Sequence, residues 1–182
     1  LIDSFWLAYP NIDLNVRLTD RLVDILEENC DLAIRISAPP EDKSSIWRKI
    51  CEVPRCAVAA PILFQRHPRP KDPDALDLKL CLSYGESAAH GTWQFRKGAV
   101  SRDVRAGARF HANNGDMLFE MVRRGNGIAV LPEFFVAKGL RDGSLEQVLP
   151  DWTVPPLRLS QFYPPYEALP PLVATFSDFF EA

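Results

Sequence analysis

Histidine is scarce in this 182-residue sequence, and its three copies, His67, His90 and His111, are scattered singles. Four cysteines are present, Cys30, Cys51, Cys56 and Cys81, but no two make a Cys-x-x-Cys pair. A zinc site needs clustered Cys and His ligands, so neither a metal nor another cofactor is expected. Three of the cysteines sit inside apolar runs, which reads as reduced, buried thiols. No apolar stretch reaches the roughly 18 residues of a membrane span, so no membrane partner is expected. Nothing basic is longer than Arg123-Arg124, and the net charge is −3. That balance gives the chain no overall electrostatic reason to bind nucleic-acid phosphates. Repeats and low-complexity segments are absent as well. What remains is 47% hydrophobic, 25% charged and 10% aromatic. Such a composition fits one large or two small globular domains and excludes a disordered tail or a disulfide-stapled scaffold. No signal peptide opens the chain, and its first residue is not Met, so it reads as a piece of a longer protein.

Hydrophobic spacing gives the element order. Leu1, Ile2, Phe5, Trp6 and Tyr9 recur at helical spacing up to Tyr9-Pro10. Ile12, Leu14, Val16 and Leu18 alternate with polar residues and predict a strand. Asp20 can cap a helix carrying Leu22, Val23, Ile25, Leu26 and Cys30. Leu32 to Ile36 is a short strand ended by Ala38-Pro39-Pro40. Helix, strand, helix, strand is the rhythm of a parallel α/β sheet. Residues 53–59 predict another strand. The prolines at 61, 68, 70 and 73 then predict a short helix and turns near a subdomain boundary.

Leu80 to Tyr84 predicts a strand. Trp93 to Arg105 predicts a hairpin turning at Lys97-Gly98. Arg109 to Ala112 is a strand entering Asn113-Asn114-Gly115-Asp116. Met117 to Val122 is a helix stopped by Gly125. Gly127 to Pro132 reads as a buried strand cut off by proline. A short helix holds Phe134, Phe135 and Val136. Late strands cover 145–149 and 157–162. The last helix presents Leu172, Val173, Phe176, Phe179 and Phe180.

One motif looks enzymatic. Gly85-Glu86-Ser87-Ala88-Ala89 follows a strand and is close to the Gly-x-Ser-x-Gly nucleophile elbow of esterases. The final glycine is Ala89, however, the only histidine after Asp103 is His111, a few residues later in a predicted strand, and no Gly-rich oxyanion loop lies upstream. Asp20 with Asp24, and Asp72 with Asp74, read as caps or solvated surface rather than acid/base pairs. The chain is therefore expected not to be an enzyme, and a serine esterase using Ser87 is the enzymatic alternative.

The remaining motifs fall into a familiar order. Tyr9-Pro10-Asn11-Ile12 precedes Asp20-Arg21-x-Val23-Asp24 and Asp31-Leu32-Ala33-Ile34-Arg35-Ile36. Later come Asn113-Asn114-Gly115-Asp116, Gly125-x-Gly127-Ile128-x-x-Leu131-Pro132, and Leu140-x-x-Gly143-x-Leu145-x-x-Val148-Leu149-Pro150-x-Trp152. Tyr163-Pro164 and Phe176-x-Asp178-Phe179 complete the set. Together, and nearly along the whole chain, these resemble the effector-binding domain of LysR-type transcriptional regulators.

That resemblance implies an α/β, type II periplasmic-binding-protein-like fold. It would comprise two Rossmann-like subdomains, 1–59 plus 161–182 and 60–160. Crossing strands near Ala57-Ala60 and Leu159-Tyr163 would join them, and a small effector would bind in the cleft between. The protein would be cytoplasmic. DNA contact would belong to a winged helix-turn-helix domain absent from this chain. Family domains begin with a strand before the first helix; this chain opens inside that helix, so that strand and its cleft loop are missing. A solute-binding protein of a transport system is the alternative in the binding class.

A physical argument for the ligand stands beside the resemblance. Open parallel sheets take ligands beyond the carboxyl ends of their strands. Ser37 and Ala38, Tyr84 and Gly85, and Asn113 and Asn114 end predicted strands. The last pair also opens a helix, where N–H groups and the dipole favour an anion. With Pro132 and Tyr163 these are the candidate effector residues, and a small organic acid is the expected ligand. Plainer roles compete: Asn113 or Asn114 as a helix cap, Ser37 as a strand end, Pro132 as a strand stop, Tyr163 as packing, and Arg35 as a partner of Glu28. Family domains pair head to tail, which implies a homodimer, or a dimer of dimers, through Phe5, Trp6, Phe119 and Val122.

Overall fold

Two groups of strands organise the chain in the computed structural model, which describes residues 2–19, 29–38, 46–85 and 91–181. The first compact unit is Leu1–Glu52 with Arg158–Ala182, and the second is Val53–Leu157.

The first unit holds helix α1 (Ile2–Ala8) and strands β1 (Ala33–Ser37) and β2 (Ile46–Val53). After the second unit it regains strand β10 (Leu157–Tyr163) and helix α4 (Pro171–Glu181). Its sheet runs β1-β10-β2. β1 and β10 are antiparallel, with Ala33 opposite Phe162 and Ser37 opposite Arg158. The helix–strand rhythm predicts a parallel sheet here. The strand that fills the place beside β1 comes instead from the far end of the chain and runs the other way.

Phe5 anchors this unit at 1% exposure. Its ring stacks on Tyr9 at 4.7 Å and meets Phe176 and Phe179 of α4 edge-on at 4.8 and 5.3 Å. Three expectations change. Residues 13–19 form no strand; Leu18 is 92% exposed, because no described strand lies beside the segment for its alternation to use. β2 forms over 46–53, where no strand is expected. Leu172 of α4 faces solvent, and Ser177 takes the buried position instead. The helix expected after Asp20 lies outside the described residues.

The second unit contains strands β3 (Arg55–Ala59), β4 (Cys81–Tyr84), β5 (Thr92–Lys97), β6 (Val100–Arg105), β7 (His111–Ala112), β8 (Ile128–Pro132) and β9 (Glu146–Gln147). Helices α2 (Gly115–Arg123) and α3 (Glu133–Asp142) complete it. Five strands form one sheet in the order β7-β4-β8-β3-β9. β4 is parallel to β7 and β8, whereas β3 is antiparallel to β8 and β9. The period of two sorts the side chains. Ala57 and Ala59 join Cys81, Phe95, Ile128 and Val130 beneath the β5–β6 hairpin. Cys56 and Val58 join Leu82, Leu118, Val122, Ala129 and Val136 beneath α2 and α3. Both faces are covered, which is why β3 and β8 read as continuous apolar runs.

The subdomain boundary also moves. Residues 53–59 belong to the second unit, since β3 pairs with β8 and β9 inside its sheet. The proline-rich stretch is likewise internal to that unit, as two 3-10 turns, Pro61–Gln65 and Pro73–Ala75. On the other side the first unit resumes at Arg158 rather than 161.

All four cysteines are unbridged. Cys56 and Cys81 are buried, and burial pushes their thiols up to about 11 and about 12. Cys30 is only half-buried and Cys51 is exposed on β2, so the expectation of buried thiols holds for two of the four.

Candidate functional site

The carboxyl ends of β7, β4 and β8 lie together at one edge of the five-stranded sheet. Tyr84 pairs with Ala112 across β4 and β7, and Leu82 pairs with Ala129 across β4 and β8. Continuing those registers brings Gly85 next to Asn113 on one side and Pro132 on the other. The second unit thus collects Tyr84, Gly85, Asn113, Asn114 and Pro132 at one edge. The Gly85 amide donates to Ala112 O at 3.0 Å, and its φ of 147° is one that side chains other than glycine's rarely accept.

Asn114 settles one alternative. Its Oδ1 accepts the Met117 amide at 2.9 Å, so it is the N-cap of α2. A cap of this kind contributes about 1 kcal/mol. Asn113 is exposed beside it. Asp116 sits in the first turn of α2, and Glu133 opens α3 immediately after Pro132. Pro132 itself is the last residue of β8 and the residue before that helix.

The first unit holds the other candidates, but not at one end. The Ser37 hydroxyl donates to Ala38 O at 2.9 Å, as a strand-end residue would. Tyr163 stands at the opposite end of the β1–β10 pairing, beyond Phe162, which faces Ala33. It lies five residue steps from Arg158, the partner of Ser37, roughly 17 Å along β10. Its hydroxyl donates to Gln161 Oε1 at 2.6 Å and lies 3.0 Å from Ser177 Oγ. Tyr163 is therefore tied into the polar interior of the first unit, away from Ser37. Arg35 lays its guanidinium over the Phe162 ring at 5.1 Å. Glu28 and Ser87 lie outside the described residues.

Two of the four interface candidates turn inward. Phe5 and Val122 are buried in the cores of their own units, so neither offers surface to a second chain. Trp6 is 60% exposed. Phe119 is half-buried, with its ring 6.4 Å from that of Phe135.

A residue missed in the sequence shares the sheet edge. Arg55 begins β3 and pairs with Pro132. Its Nε and Nη2 both donate to Pro155 O, at 2.9 and 2.7 Å, and burial lowers its pKa from the ordinary arginine value. The available signal was a lone arginine opening an otherwise apolar strand.

Elsewhere on the second unit an open depression of ≈ 290 Å³ is lined by Asp72, Pro73, Asp74, Lys97, Val100, Arg102 and Trp152. Its cations are already paired, Lys97 with Asp151 at 2.9 Å and Arg102 with Asp74 at 3.0 Å. None of the candidate effector residues lines it. Among the described residues no group of three His, Cys, Asp or Glu side chains could hold a metal ion.

Comparison with known proteins gives a consistent answer. The family model described as the LysR substrate binding domain matches residues 1–182. A probable HTH-type transcriptional regulator, LtrA of Klebsiella pneumoniae, is 32% identical over 152 residues, covering 84% of this chain and 49% of that protein. The HTH-type transcriptional activator TtdR of Escherichia coli K12 is 30% identical over 145 residues, covering 79% and 46%. The chain thus spans about half the length of these curated relatives. Among solved structures, the regulatory domain of an AphB variant from Vibrio vulnificus superposes with a TM-score of 0.81 at 26% identity. That match covers 98% of this chain and 87% of the other. The α/β fold is accordingly the periplasmic-binding-protein-like fold of such regulatory domains.

Proposed function

Because the chain belongs to the LysR substrate-binding domain family, we propose that it is the ligand-sensing regulatory domain of a LysR-type transcriptional regulator. DNA contact would then fall to a winged helix-turn-helix domain outside this chain, and the protein would work in the cytoplasm. The relatives' names as HTH-type regulators support that reading. No helix among the described residues is long and apolar enough to cross a membrane.

The proposed effector is a small organic acid. One observation carries this: three parallel-strand ends and the N-terminus of α2 meet at a single edge, with Asn113 exposed there. The N–H groups and dipole of a helix start favour negative charge. A thermal-shift screen against small carboxylates, aromatic ones included, tests the reading. An acid present at a hundredfold its Kd should stabilise the fold by about 2.7 kcal/mol. That rise should shrink in Asn113→Ala, which removes an exposed side chain without touching the Asn114 cap. A screen in which only cations or neutral molecules raise Tm would sink the organic-acid reading.

The proposed assembly is a homodimer through the outward face of α1, where Trp6, Leu7 and Ile2 are exposed. Phe119 on α2 is the proposed counterpart. Trp6→Glu should shift the sedimentation coefficient of the chain towards the monomer at micromolar concentration. A wild-type monomer under the same conditions would refute the dimer. In this proposal the effector acts by binding one conformer of the dimer more tightly than another, since equal affinity would shift nothing.

A further inference from the structure

Arg55 stands at the edge where the proposed acid would be held. Its pairing with Pro132 sets it beside the end of β8, and β8 lies parallel to β4, which ends at Tyr84. The side chain is half-buried and held by one carbonyl. Two of its three nitrogens, Nε and Nη2, donate to the same carbonyl, Pro155 O. Pro155 O is a neutral acceptor and leaves the guanidinium charge uncompensated. Burial is the sole cause of the depressed pKa, with no carboxylate among the described residues acting on it. Other arginines of the chain differ: Arg69 is paired with Glu146, Arg102 with Asp74, and Arg123 with Glu120. A half-buried cation without a counter-charge gains more from an anion than a solvated one does. The guanidinium also has the planar geometry that suits a carboxylate.

We propose that Arg55 is the charge-reading residue of the effector site, with Nη1 donating to a carboxylate oxygen of a small organic acid while Pro155 O fixes the plane of the fork. This rests on the organic-acid reading above and adds the residue that separates an acid from its neutral amide. Glu133 and Asp116 place opposing charge near that edge. The anion must therefore be held by directed hydrogen bonds, and the local net field does not supply them. Removal of Arg55 should then cost acids far more than amides.

The test titrates the isotope-labelled chain with acetate, succinate, benzoate and salicylate, and with the corresponding amides, following the Arg55 Nε–Hε signal by NMR. An acid that binds should move this signal, and its amide should not. Arg55→Gln should raise the Kd of that acid at least about tenfold, the loss expected for a charged hydrogen bond. Arg55→Lys should recover part of it. Should Arg55→Gln fail to give a folded spectrum, the wild-type side-chain signal decides. An acid that binds without moving that signal, or whose Kd is unchanged in folded Arg55→Gln, overturns the role of Arg55 and leaves the organic-acid reading standing. If none of the acids binds the wild type, both fall together.

Discussion

Phe5→Ala is expected to unfold the first unit at far lower denaturant than the wild type requires. The ring is 1% exposed and makes three aromatic contacts, one within the α1 segment and two to α4. Truncating a buried phenylalanine costs about 3–5 kcal/mol, through lost transfer energy and the cavity left behind. A whole domain is stable by only about 5–15 kcal/mol. The remaining strands offer little compensation, because Ile34 and Ile36 of β1 and Ile46 of β2 are themselves exposed. Amide exchange read residue by residue checks the outcome. Protection should collapse at Ile34 and Gln161, whose strands pair in the first unit, and persist at Ala129 in the second. Equal protection in variant and wild type would mean that the Phe5 cluster does not hold this unit together.

The same residue shows how far helical spacing can be read. Apolar residues at 1, 2, 5, 6 and 9 establish a helix, but they are too many for one stripe. Which of them point inward depends on where α4 lies, and that is a nonlocal fact. Phe5 therefore went to the core while Trp6 stayed outside. Strand alternation has a related limit. Over residues 12–18 it is regular but has no described neighbouring strand to pair with. Over β2, by contrast, Arg48, Lys49 and Glu52 interrupt the apolar residues, as an edge strand allows, and the pattern hides the strand. The second unit was more legible because both faces of its sheet are covered. Its central strands are short apolar runs closed by Gly and Pro, and Asn114 marks the start of α2 in the residue types themselves. The site was legible only in part for a register reason. Strand ends can be read from sequence, but which ends are neighbours cannot. That pairing set Arg55 beside Pro132 and put Tyr163 at the far end from Ser37.

The parallel seam behind the candidate site leads to the second large effect. Gly127 immediately precedes β8, and a Cβ there would collide with the backbone oxygen of Leu80 and lie 2.8 Å from Leu82 Cγ. Leu80 O is not able to retreat, because it accepts the Ile128 amide at 2.8 Å and so starts the β4–β8 pairing. β8 is held on its other side by β3, which closes the other direction of escape. Gly127→Ala should therefore destabilise the second unit by about 1–3 kcal/mol, and Gly127→Val by more, because added volume in a packed site forces the backbone apart. Melting followed through Trp93 and Trp152, both in this unit, provides the measurement. Unchanged melting in Gly127→Val would show that β4 and β8 do not approach as closely as their register requires. The consequence reaches the site, since Tyr84, Gly85 and Pro132 lie at the far end of the same two strands. A variant that parts the seam at Leu80 should also weaken carboxylate binding more than its loss of stability alone would, because the seam sets the spacing of the edge that the ligand must bridge.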